Sequence, residues 1–202
     1  MMKSKPDNNN DSPNYTYGPN AAHTLQMHAS RTADKQAGWL LPYLKSGMTL
    51  LDVGCASGSI TVGLAKVVNP GQVIGVDISE VEIQRAKKRA TENGITNIRF
   101  EIDDTNQLGF SDGSFDALFS NNTLEHIPEP ADALREMRRV LKPGGIIGIR
   151  DCDFGGSFSG GNDELWERLH DIYEADFKNT GVHGRLGRRL GSLLNEAGFV
   201  DL

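Results

Sequence analysis

The sequence predicts an α/β fold: Rossmann-like and doubly wound, with a mainly parallel sheet in the order 3-2-1-4-5 and helices on both faces. Three observations predict it. Short apolar runs alternate with amphipathic helical stretches, a glycine-rich turn follows the first run, and an acid ends the second. Such alternation gives parallel strands joined by right-handed crossovers.

Residues 1–19 are rich in Asn, Asp, Ser, Pro and Lys and bury too little apolar surface to offset their ordering entropy. They are expected to be mostly disordered, with order beginning near Tyr15 to Tyr17. Residues 20–202 read as a single domain: a helical lead-in or lid over 20–46, a core over 47–152 and cap helices over 153–198. The lead-in is in two pieces, with Trp39, Leu40 and Leu41 closing the second before Pro42.

Residues 49–53 read as a buried strand entering the glycine-rich turn, with a helix over 57–68. Pro70 and Gly71 turn the chain into a second strand over 72–77. Ser79 with Glu82 three residues later is a capping box, opening a helix that runs to about Asn93 and ends at Gly94. A third strand covers 97–102, and Asp112-Gly113 turns into a fourth over 115–120. The next helix has Pro130 in its first turn, and Ala133, Leu134, Met137, Val140 and Leu141 on one face. Lys142-Pro143-Gly144-Gly145 should stop it before a fifth strand over 146–150. After a Gly/Ser stretch over 155–161, one helix carries Leu165, Trp166, Leu169, Ile172, Tyr173 and Phe177 on a stripe expected to pack the cap on the core. A second carries Leu186, Leu190, Leu193, Leu194 and Ala197, capped by Gly198. Phe199 to Leu202 looks like the opening of another strand.

A formal net charge of −6 argues against a nucleic-acid partner, because a polyphosphate needs a basic stripe. Arg185, Arg188 and Arg189 are too short a cluster to reverse that and read as a solvated face. Cys55 and Cys152 are far apart and in no metal-ligand spacing, so free thiols and no metal are expected. No apolar run reaches membrane-span length and the N-terminus lacks a signal-peptide core, so no span and cytoplasmic residence are expected.

In an open parallel sheet a ligand sits beyond the carboxyl ends of the strands. Four predicted strand ends carry chemistry: Asp52-Val53-Gly54-Cys55-Ala56-Ser57-Gly58, then Asp77, then Asp103-Asp104-Thr105, then Asn121-Asn122. The dinucleotide fingerprint needs glycines two and five residues after the first, where this chain has Ala56 and Ser59. Asp52 would repel a pyrophosphate but suits a ligand carrying an amino group and a sulfonium. That charge logic favours S-adenosylmethionine over NAD.

These segments resemble the motifs of class I S-adenosylmethionine-dependent methyltransferases. Leu50 through Gly58 is similar to their first motif, and Val73 through Ser79 to their second. Phe115 to Asn121 with Leu124-Glu125-His126-Ile127-Pro128 is similar to the fourth-strand segment, and Arg138 to Gly145 to the run before strand five. The combination most resembles the small-molecule branch typified by ubiquinone/menaquinone C-methyltransferases.

The resemblance implies that 47–152 binds the cofactor. Gly54, Cys55, Ala56 and Gly58 would shape the loop against the methionine part, with Asp52 near its amino group. Asp77 would hold the ribose hydroxyls and Ile78 would pack on the adenine. Asp104 would accept from the adenine amino group beside Thr105, Asn121 would meet the methionine end, and Tyr17 and Arg31 would close the pocket. Ala56 departs from the glycine common in the family. The implied sheet continues to strands six and seven, whereas this chain ends as the sixth would begin.

The implied reaction is in-line displacement of a methyl group onto a small-molecule acceptor such as a quinol or phenol, leaving S-adenosylhomocysteine. His126 is the one candidate general base; its alternative reading is a structural histidine bonded to backbone. His23, His28 and His183 read as surface residues. An NAD-dependent oxidoreductase and a non-catalytic S-adenosylmethionine-binding module remain as rival functions.

Overall fold

In a computed structural model, which describes residues 26, 27, 29–156 and 164–202, five parallel strands form one sheet. They are β1 (Leu50–Val53), β2 (Val73–Asp77), β3 (Ile98–Ile102), β4 (Phe115–Asn121) and β5 (Leu141–Arg150), in the order β3-β2-β1-β4-β5. The expected fold class and strand order are borne out. Tyr17, His23, His28 and the expected disorder of 1–19 lie outside the described residues.

β1 and β2 are buried along their whole length, as strands covered on both faces must be. Side chains alternate between two layers. Leu50, Val73, Ala117 and Phe119 meet Leu40 and Leu64 on one face; Leu51, Ile74, Val76 and Leu118 meet Leu134 and Met137 on the other. The helices are α1 (Ala33–Gln36), α2 (Thr61–Val68), α3 (Glu80–Glu92), α4 (Pro130–Val140), α5 (Glu164–Thr180) and α6 (Leu190–Glu196). The Ser79 hydroxyl accepts from Glu82 N at 3.4 Å, the first half of the expected capping box.

Several boundaries moved. α2 starts at Thr61 rather than 57, because residues 55–60 form the turn, closed by Gly58 N on Cys55 O at 2.9 Å. Pro42 does not follow the lead-in but sits inside a 3-10 turn, Leu41–Tyr43, where a first-turn proline forfeits no hydrogen bond. Leu141 is not on the helix: it pairs with Phe115, and the Pro-Gly-Gly segment is absorbed into β5 as a register shift. Residues 199–202 form no strand.

The α5 stripe is also corrected. Phe177 is buried and stacks near Phe154 and Tyr173, but Leu165 is 71% and Ile172 63% exposed. Among the stripe residues whose burial is described, Phe177 is the buried one; the Trp166 side chain lies outside the described residues. The arginine cluster is partly paired: Arg185 with Glu174, and Arg188 with Asp153. No helix among the described residues is long and apolar enough to cross a membrane.

Met137 is wholly buried between α4 and the sheet. Met137→Ala is expected to lower the unfolding free energy by about 2–5 kcal/mol, measured by urea denaturation.

Candidate functional site

Parallel register brings the strand ends to one level. Val53 pairs with both Val76 and Ser120, Asp77 with Ile102, and Asn121 with Arg150. The residues beyond these pairs therefore form one rim.

Asp77 organises the turn after β1. Its Oδ2 accepts from Ala56 N and its Oδ1 from Ser79 N, both at 2.9 Å. Gly54 N and Cys55 N both donate to Val76 O. Burial raises the Asp77 carboxyl above its ordinary value, and these two N–H groups oppose the shift.

Gly54 and Gly58 have φ of +74° and +71°, and both are crowded. A Cβ at Gly54 would collide with the Thr123 side chain, and one at Gly58 would lie 2.9 Å from the Phe100 ring. The need for glycine here is internal packing as well as turn geometry. Ala56 holds φ +45°, a left-handed conformation that a side chain resists.

A small cleft opens at this rim, lined by Asp52, Gly54, Cys55, Ala56 and Asn121 with Arg31, Ser59, Ile60 and Phe119. Asp52 is 3% exposed and its Oδ2 accepts from the Thr61 hydroxyl at 2.6 Å. Burial pushes its pKa up to about 7; the Thr61 bond pulls it down, and the nearby Asp77 charge adds to the rise. Burial also drives the Cys55 thiol well up, which suits a loop residue and not a nucleophile.

The Asn121 side chain is buried, and neither amide atom has a hydrogen-bond partner among the described residues. A buried amide left this way forfeits free energy unless a ligand meets it. The residues lining the cleft thus include an acid, an arginine and an asparagine whose amide is unmatched among the described residues. That donor set fits the zwitterionic end of an amino-acid-bearing ligand.

Ile78, Asp104 and Thr105 are not in the cleft. Ile78 is 52% exposed just beyond β2. Asp104 is exposed beyond β3 and accepts from Asn106 N, while Asp103 accepts from Asp104 N and Gly109 N. Asp103 is thereby committed to its loop with both oxygens. His126 Nε2 lies 3.5 Å from Glu125 Oε1 and Nδ1 is buried, so neither ring nitrogen opens to the cleft. His183 is no solvated loop residue: its N–H donates to Glu125 O at 2.7 Å, and its ring meets Pro128 O.

Glu125 and Asp151 were not singled out from sequence. Asp151 follows β5 as Asp103 follows β3, so the strand-end rule could have found it. Glu125 carried no signal beyond its place next to His126. A larger hollow of about 290 Å³, between α5 and residues 182–189, shares no lining residue with the cleft. Its size does not outweigh the position of the smaller cleft at the strand ends.

A family model described as a methyltransferase domain matches residues 44–198. The chain is 42% identical over 147 residues to a probable methyltransferase of Aspergillus luteorubrus, covering 68% of this chain and 51% of that protein. It is 35% identical over 136 residues to 27-O-demethylrifamycin SV methyltransferase of Amycolatopsis mediterranei, covering 67% and 49%. It is 37% identical over 105 residues to demethylmenaquinone methyltransferase of Staphylococcus aureus, covering 52% and 43%. The chain thus spans about half the length of the curated relatives it matches. Among solved structures, the 4+2 cyclase SpnF superposes with a TM-score of 0.61 at 30% identity, covering 87% and 56%. Phosphoethanolamine N-methyltransferase 2 of Haemonchus contortus, with bound S-adenosylhomocysteine, shares the fold at TM-score 0.64 and 22% identity, covering 83% and 37%.

Ala56→Gly is expected to stabilise the protein by up to about 1 kcal/mol in urea denaturation, because relief of the left-handed strain exceeds the added chain entropy. Asp52 also makes stability depend on pH. Its folded pKa stands above the ordinary 3.8, so the folded state holds a proton that the unfolded chain releases. The associated stability is complete below about pH 4 and is lost as pH rises through about 7. Asp151, also raised to about 7, acts in the same sense. Asp52→Asn should make the decline between these limits shallower by as much as about 1.4 kcal/mol per pH unit, measured by denaturation across pH.

Proposed function

The chain belongs to the methyltransferase-domain family, and from that premise we propose that it transfers a methyl group from S-adenosylmethionine to a hydroxyl-bearing small molecule of the quinol or phenol kind. The observation that carries this reading is that Asn121, whose buried amide is unmatched among the described residues, lines the same cleft as Asp52 and Arg31. The relatives' names, which specify a demethylmenaquinone and a demethylrifamycin as acceptors, support the acceptor class. None of the relatives named above is an NAD-dependent enzyme by its name.

When bound, S-adenosylmethionine supplies a methyl group made electrophilic by its sulfonium. Asp52 sits where an ammonium or sulfonium would favour its ionised form, and its near-neutral pKa lets it change charge at little cost. Arg31 offers a complementary fork to a carboxylate. Asn121 can give one donor and one acceptor to the same amino-acid end. Each Asp77 oxygen already takes one backbone N–H and keeps a second lone pair for a ribose hydroxyl. Ile78 presents exposed apolar surface beside it for an adenine face, with Asp104 and Thr105 next along the rim. Tyr17 would complete the closure with Arg31. His126 acts as a structural residue in this reading, its Nε2 turned to Glu125.

A second reading is favoured by one observation: SpnF, a cyclase by its title, is 30% identical over most of this chain. This protein would then hold the cofactor without transferring its methyl group. Binding and transfer separate the two.

Calorimetric titration with S-adenosylhomocysteine is expected to show micromolar binding, and Asp77→Ala to lose about 1–3 kcal/mol of it. Equal affinity in both proteins would remove the ribose assignment. Incubation with methyl-labelled cofactor and a panel of quinols and phenols should label an acceptor; binding without labelling would leave the second reading.

A further inference from the structure

The hollow between α5 and residues 182–189 takes no part in the cofactor reading. It measures about 290 Å³ and shares no lining residue with the cleft. That volume stands at the lower edge of the roughly 300–1,000 Å³ of small-molecule sites, and suits a ligand of one or two rings.

Two kinds of surface line the hollow. Phe177, Val182 and Leu186 are buried residues that give it an apolar wall. Glu174, Lys178, Arg185 and Arg189 add charge. The acid is matched within the lining: Arg185 Nε and Nη2 reach Glu174 Oε1 at 2.9 and 2.8 Å. The His183 ring, also in the lining, is engaged with Pro128 O at 3.1 Å. The Lys178 ammonium and the Arg189 guanidinium have no hydrogen bond or ion pair among the described residues. A chain of formal net charge −6 thus places two unmatched cations beside an apolar wall at one hollow.

We propose that this hollow is a second ligand site, for a small aromatic carboxylate. The ring would lie against Phe177, Val182 and Leu186, and the carboxylate would meet Arg189 and Lys178. Each part answers one half of the lining. A neutral apolar body would leave the cations unused, and a bare inorganic anion would leave the wall unused. Burial of the ring drives association, because apolar surface leaves water. The Arg189 guanidinium matches a planar carboxylate with two parallel N–H donors, and Lys178 adds a point charge. The proposal does not depend on the S-adenosylmethionine reading.

Calorimetry with naphthoate tests it, with naphthylmethanol as the neutral counterpart and inorganic phosphate as the bare anion. Wild type is expected to bind naphthoate about tenfold more tightly than either of the others. Lys178→Gln and Arg189→Gln should each weaken naphthoate about threefold, and together about tenfold, while leaving naphthylmethanol unchanged. Both side chains are exposed, so the urea midpoint and the affinity for S-adenosylhomocysteine should stay at their wild-type values. Absence of naphthoate binding, or variants that bind it as wild type does, would overturn the proposal. Phosphate or naphthylmethanol binding as tightly as naphthoate would overturn it too, since one half of the lining would then contribute nothing. Displacement of naphthoate by S-adenosylhomocysteine would place the probe in the cleft and end the proposal in the same way.

Discussion

The site depends on the two backbone hydrogen bonds accepted by one buried carboxylate, Asp77. Ala56 N reaches it from the turn after β1 and Ser79 N from the head of α3. Asp77 ends the neighbouring strand, so its position is set by the sheet register and not by the turn. The turn is held from outside itself. That is why Ala56 can persist at φ +45°, a conformation costing about 1–2 kcal/mol that needs over-determination by its surroundings.

Around this anchor the rim is unusually acidic for so dry a place. Asp52, Asp77, Glu125 and Asp151 are raised by burial, and the cations acting on them are few. Such a rim is poorly matched to an anionic ligand and well matched to one bearing positive charge. The same arrangement explains why a dinucleotide is a poor occupant. A pyrophosphate would stand next to Asp52 with no glycine pair presenting N–H groups to it.

The cap is joined to this rim by backbone hydrogen bonds as well as by the contacts of Tyr173 and Phe177 with Phe154. His183 N binds Glu125 O, Phe154 N binds Gly184 O, and Gly187 N binds Cys152 O. These bonds tie residues 183–187 to the segments after β4 and β5, while the N-terminal half of α5 keeps Leu165 and Ile172 in solvent. Residues 183–187 are therefore coupled to the strand ends through polar contacts, which tolerate little displacement.

The sequence by itself determined the layer architecture, the strand order and the identity of the cofactor family. The layers follow from periodicity and short-range chemistry, namely apolar runs, the Ser79 cap, the glycine turn and the acid at Asp77; the strand order and the cofactor follow with the motifs that resemble class I methyltransferases. The start of α2 and the absorption of Leu141 into β5 were decided by contacts with distant residues, Ala56 N on Asp77 and Leu141 against Phe115, to which local propensity is blind. Tertiary structure alone also decided which polar groups meet. Asp151 and Glu125 are 26 residues apart, and nothing in their spacing signals that Asp151 accepts from Glu125 N while Glu125 accepts from Cys152 N. Asp103 and Asp104 are chemically equivalent in sequence, and only the fold of their loop commits the first and exposes the second. Burial is a property of the assembled chain, and with it come the charge states on which the chemistry rests.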